Sequence, residues 1–176
     1  MNELEGDGGE PSLEECVRAK EKVDALLRHI SNVQEACQLL GRRLIDKGEI
    51  DLGIHLIAAG QTHDHSKWSG IEWDYLVGSR TNGNGALALA VSHHQRTNKH
   101  HPEFWGSASN MPRLYVAEMC CDFYARATEF GTNVWEWIKE DAMPKYGIPR
   151  QGKIYKWMKE FLGLLLEKPF SDLGED

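Results

Sequence analysis

Apolar residues recur at spacings of three and four along most of the chain. Between Ser12 and Lys47 they fall at Leu26, Ile30, Val33, Cys37, Leu40 and Leu44, the stripe of one long amphipathic helix. Ser12 followed by Glu15 is a capping-box start, with Pro11 just outside, and Gly48 is a suitable stop. Leu52, Leu56 and Ala59 predict a second helix from Asp51 to about His63. A short helix can begin at Gly70, and an Ala/Leu-rich one spans Ala86 to about Gln95. Pro112 suits a first helical turn, and the helix after it runs from Arg113 to about Phe130, closed by Gly131. Asn133–Met143 and Lys153–Glu167 complete the set, with Pro144–Gly152 as a linker. Residues 77–85 (VGSRTNGNG) and 97–112 read as loops, the second long enough to line a site. No segment alternates as a strand does, no repeat occurs, and no Gly-rich phosphate loop is present. The expectation is an all-α single domain of about six helices over 12–168. An acidic flexible tail at 1–11 and a C-terminal tail at 169–176 flank it.

Charge changes this picture little. Twenty Lys and Arg against 27 Asp and Glu leave a net charge of −7, which disfavours a nucleic-acid polymer as partner. The basic residues between Lys145 and Lys159 read as a solvated helix face. Apolar runs fall well short of the ~20 residues of a membrane span, and the acidic N-terminus lacks the pattern of a secretory leader. Cys16, Cys37, Cys120 and Cys121 form no CxxC pair. They read as reduced thiols of a cytoplasmic protein.

Histidine changes it more. Six of the eight His lie between His63 and His101. His29 sits on or beside the apolar stripe of the first helix, where a buried imidazole needs a carbonyl, a carboxylate or a metal. His63, at the inner-face spacing of the second helix, is followed by Asp64. Such a pair offers one ion a nitrogen and an oxygen, a mixture suited to Mn, Fe, Co, Ni or Zn. Asp122 lies mid-helix in MCCDFYARA and needs a partner. That partner is either an ion or Arg126 one turn on, with Glu118 one turn before. HHQRTNKHHPEFW (93–105) adds four His, Asn98 and Glu103. On a continued helix His94 and Asn98 face one way. Lys67 reads either as a phosphate contact or as a solvated lysine, and Glu72 either as a general acid/base or as a group that orients a neighbour. Trp68, Trp73 and Trp105 either wall a pocket or pack in the core.

The order His, His-Asp, Asp on successive helices resembles the HD-domain superfamily of metal-dependent phosphohydrolases. Three stretches, THDHSKWSGIEWDYL (62–76), HHQRTNKHHPEFW (93–105) and MPRLYVAEMCCDFYARATEFGT (111–132), look more specifically like a bacterial and phage domain-of-unknown-function family. With the His29 helix the likeness covers about residues 20–140. The resemblance implies an HD-like bundle with His29, His63, Asp64 and Asp122 as ligands of one divalent transition metal. A second ion could use His94 and His101. Known two-metal members spread their extra histidines over separate helices, whereas these lie close together, so one ion is expected ahead of two.

The implied activity is hydrolysis of a small phosphorylated substrate, a nucleotide by analogy. Lys67 and Glu72 are then the catalytic candidates, with His94, Asn98, His101, Glu103 and Arg126 around the substrate. Two alternatives stand beside it. One is an HD-type di-iron oxygenase. The other is a non-catalytic metal-stabilised module. The superfamily likeness and the apolar helices suggest a homodimer.

Overall fold

The computed structural model describes residues 12–78 and 85–168. The two tails and most of the glycine-rich 77–85 loop lie outside the described residues. Helix α1 runs from Leu13 to Asp46, α2 from Ile50 to Gly60, α3 from Gly70 to Val77 and α4 from Ala86 to Thr97. Helix α5 spans Arg113–Phe130, two short turns α6 and α7 cover Val134–Trp137 and Met143–Tyr146, and α8 spans Lys153–Leu166. Six of these are eight residues or longer, and the described residues contain no strand. The protein is all-α, as the spacing predicts. No helix among the described residues is long and apolar enough to cross a membrane.

Helix α1 begins with the capping box read from the sequence. The Glu15 N–H donates to Ser12 Oγ and the Ser12 N–H donates to Glu15 Oε2, at 3.3 and 2.8 Å. Its first turns are exposed, and its buried face starts at Leu26 and continues through Val33, Cys37, Leu40 and Leu44. That face packs along α2 and α5, and α8 closes the core against α5. Phe161, Met158 and Leu162 of α8 meet Val116, Met119 and Cys120 of α5 in one cluster. Arg113, at the start of α5, ties the start of α2 to the middle of α8. It donates to both Glu49 oxygens and, at 2.8 Å, to Glu160.

Helices α1 and α2 touch backbone to backbone. A Cβ at Gly41 would stand 2.8 Å from the Gly53 carbonyl, and one at Gly53 would collide with the Gly41 carbonyl. Gly53→Ala must therefore part the helices. The expected cost is about 2 kcal/mol, a fall in Tm of about 4–8 °C for a domain of this size. An unchanged Tm would show that the crossing yields freely.

Three boundaries differ from the sequence expectation. Helix α2 stops at Gly60, so His63 is not on its inner face but in the turn that follows. Gly60 and Thr62 are poor helix formers. A Cβ at Gly60 would press on Cys37, so the close approach to α1 selects glycine where the helix ends. The 133–143 helix is an α-turn, a π-turn over Ile138–Ala142 and a second α-turn that continues through Pro144 to Tyr146. Proline is tolerated there because a first helical turn has no use for its N–H. Pro112 precedes α5 as its N-cap.

Candidate metal centre

Five parts of the chain converge on one point. Helix α1 contributes His29, the turn after α2 contributes His63 and Asp64, the end of α4 contributes His94, and the loop beyond it contributes His100 and His101. Helix α5 closes the ring with Asp122. His29, His63, Asp64 and His100 are all buried. Asp64 has φ 57°, ψ 22°, a left-handed conformation. Aspartate visits that region more readily than most residues, at a cost that the surrounding structure must bear. The reversal lets consecutive His63 and Asp64 side chains face the same point.

Each of four imidazoles is aimed by a carboxylate behind it. The His29 Nδ1–H donates to Glu129 Oε1 at 3.0 Å, and Asn32 donates to the same oxygen at 2.9 Å. The His63 Nδ1–H donates to Glu118 Oε1 at 3.1 Å, and His100 Nδ1 lies 3.4 Å from that atom. The His94 Nδ1–H donates to Glu72 Oε2 at 2.8 Å. All four rings thereby turn Nε2 inwards. A carboxylate behind an imidazole fixes its tautomer and raises its basicity as a ligand.

The inward atoms surround two oxygens. Asp64 Oδ1 lies 3.2 Å from His94 Nε2 and 3.5 Å from both His63 Nε2 and His100 Nε2. Asp122 Oδ1 lies 3.1 Å from His29 Nε2. Two donors bound to one first-row ion, each about 2.1 Å from it, stand about 3.0–3.4 Å apart. The observed separations fit that spacing. His63 Nε2, Asp64 Oδ1, His100 Nε2 and Asp122 Oδ1 are all buried without a hydrogen-bond partner, a costly state for polar atoms. Two of the groups able to hold an ion are His29 with His63 and Asp122, and His94 with His100 and His101. Asp64 stands between them. A third group, His63 with His100 and Glu118, is the hydrogen-bonded support behind the rings.

Electrostatics follow the geometry. Burial would raise the Asp64 carboxyl, but His63, His94 and Lys67 outweigh it and hold the pKa well below the usual range. Burial likewise opposes ionisation of Glu118, yet His100 and His63 hold it at about 2. Asp122 is also depressed: burial opposes its ionisation, but the His29 imidazole beside it outweighs that. Burial, aided by His100 and His94, pushes His101 down to about 3, so that ring is neutral.

The remaining predicted residues divide. Lys67 Nζ is 2.7 Å from Asp64 Oδ2 and half-buried. Arg126 is exposed and held by Glu129 at 3.1 Å. Asn98 donates to Ser66 Oγ at 2.7 Å and to the His94 carbonyl at 2.8 Å, bracing the end of α4. Glu72 is buried with both oxygens taken, one by His94 and one by His93 at 2.6 Å. It is placed to orient His94, the second of the two roles read from the sequence. Glu103 lines neither cavity at the centre, and its field falls on Tyr146. Trp68 and Trp73 pack on each other, and Trp105 packs on Tyr115.

Sequence reasoning missed three supports. His100 was one of two adjacent histidines with nothing to rank them. Glu118 and Glu129 lie on the same face of α5 as Asp122, and this charged stripe in an otherwise apolar helix was the available signal.

Comparison with known proteins gives one match. A model described as "Family of unknown function (DUF5662)" matches residues 18–164. No curated protein and no solved structure matches.

Proposed function

The chain belongs to the DUF5662 family, and from its own site we propose a metal-dependent phosphohydrolase that uses two divalent ions. The observation that carries this reading is the set of four buried, unpartnered atoms converging from three separate parts of the chain. His29, His63, Asp64 and Asp122 hold the first ion. His94, His100 and Asp64 would hold the second, and His101 lies beside them. The His, His-Asp, Asp order of HD-domain phosphohydrolases supports the assignment.

Bound ions would polarise a phosphoryl oxygen and bring a water's pKa towards neutrality. The chain supplies the rest. Lys67 and Arg126 line both cavities that open on the centre and offset negative charge on the phosphoryl group. Neutral His101 lines them too and donates a hydrogen bond to a phosphoryl oxygen. Glu72, Glu118 and Glu129 keep the ligand rings in place.

The test is elemental analysis of the full chain after loading with Mn²⁺ or Co²⁺, followed by anaerobic assay on phosphate esters. Two ions per chain and ester hydrolysis are expected, with one ion left in His100→Ala. No bound metal, or metal without hydrolysis, would overturn the reading. The nitrogen-rich ligand set also suits iron. O₂-dependent turnover by the iron form, with no anaerobic hydrolysis, would point instead to an oxygenase.

A further inference from the structure

Two cavities meet over the metal centre, and they share Lys67, His94, His101 and Arg126. The first, about 440 Å³, runs between α1, α3 and α4 and has walls of Leu26, Leu76, Leu87, Ala90 and Val91. Exposed Lys22 at this cavity is turned over the Tyr75 ring at 5.8 Å. The second, about 470 Å³, runs along α5 towards α6 and is walled by Phe123, Phe130, Ala127 and Trp137. Phe123 and Trp137 meet edge to face, with centroids 4.9 Å apart. The first arm is therefore walled mainly by aliphatic side chains, with Tyr75 and Gln95 among them, and the second mainly by aromatic ones, and the candidate ligands lie between them.

We infer that the substrate is a phosphodiester, with an aliphatic substituent in the first arm and a planar aromatic one in the second. This rests on the phosphohydrolase reading and narrows it. Three observations carry it. A monoester has one organic group and would leave one arm filled with water against apolar walls. The walls of the first arm are mostly aliphatic, Leu26, Leu76, Leu87, Ala90 and Val91, and suit an alkyl group, whereas the second arm offers three aromatic side chains to pack a planar group. The cations at the junction, Lys67 and Arg126, are each already paired with a carboxylate, which suits a singly charged diester better than a polyphosphate. Leu87, Val91, Phe130 and Trp137 are large apolar side chains left exposed around these arms, as expected of surface that a ligand covers.

The reaction is a balanced hydrolysis. A water oxygen bonds to phosphorus and one ester P–O bond breaks with its electron pair on the leaving oxygen. The two protons of the water divide between the released alcohol and the phosphate monoester.

The test uses the full chain loaded with Mn²⁺ and three esters: p-nitrophenyl phosphate, its methyl diester and its hexyl diester. Burying five more methylenes should raise kcat/KM of the hexyl over the methyl diester by roughly tenfold or more, and both diesters should exceed the monoester. Leu87→Asp should bring the hexyl-to-methyl ratio towards one. Calorimetry gives a readout without turnover, in which O-hexyl phenylphosphonate should bind roughly tenfold or more tightly than its O-methyl analogue. A preference for the monoester, with equal methyl and hexyl rates, would overturn the inference and leave the hydrolase reading intact. Failure to hydrolyse any ester would overturn the hydrolase reading. In that case equal binding of the two phosphonates would overturn the two-arm assignment as well.

Discussion

Asp64→Asn is expected to release both ions and to lower hydrolysis by a factor on the order of 10³ or more. Loss of a group behind a ligand costs about 10–100-fold in metal affinity or activity, and in the proposed centre Asp64 would itself be a ligand. Its Oδ1 has three imidazole nitrogens within 3.5 Å, so no neighbouring group can take its place. Asparagine is the informative replacement because it too tolerates the left-handed backbone that Asp64 adopts. The turn should persist, and so should the helical circular dichroism. Elemental analysis and ester hydrolysis, measured on one preparation, decide the matter. Retention of two ions by the folded variant would show that the centre lies elsewhere.

Glu118 carries the second large effect. It is buried, and one of its oxygens faces the Nδ1 atoms of both His63 and His100. It therefore aims one ligand of each ion in the proposed centre. Glu118→Ala removes the acceptor for two buried rings and should weaken metal binding by about 10–100-fold. It should also cost about 2–3 kcal/mol of stability through the donors left unpaired. Glu118→Gln keeps an acceptor oxygen at the same reach but loses the charge, so it should fall between wild type and alanine in both measurements. Competition against a chelator gives the affinities and thermal unfolding gives the stabilities. Equal affinities for all three proteins would remove Glu118 from the metal centre.

The architecture was legible because a helix announces itself locally. Leu26 to Leu44 repeat at helical spacing and Ser12 with Glu15 marks the start. The four expected ligands also come together, although the path to them differs. The spacing from Leu52 through Ala59 carries His63 onto the same helical face, but the chain leaves the helix at Gly60. Glycine there answers to the thiol of Cys37 across the gap, a tertiary demand that periodicity does not register. His94 and His100 were harder for a related reason. Their value comes from Asp64, Glu72 and Glu118, which lie far along the chain and approach only after packing. Glu72 invited a catalytic role because carboxylates near metals often move protons, and only the positions of His93 and His94 reveal that both its oxygens are engaged.

The spread of the centre along the chain bears on how it comes into being. The His29–Glu129 contact joins residues 100 apart in sequence, and His63–Glu118 joins residues 55 apart. Contacts this distant require large loops to close before they stabilise anything. A nascent or partly folded chain therefore holds local histidine pairs but not the full constellation. Ions that recognise the constellation bind the native state in preference to the unfolded one, and each raises the population of folded molecules as its concentration rises. For the proposed centre, scarcity of metal would consequently be felt first as a shorter-lived protein, before it is felt as a slower one.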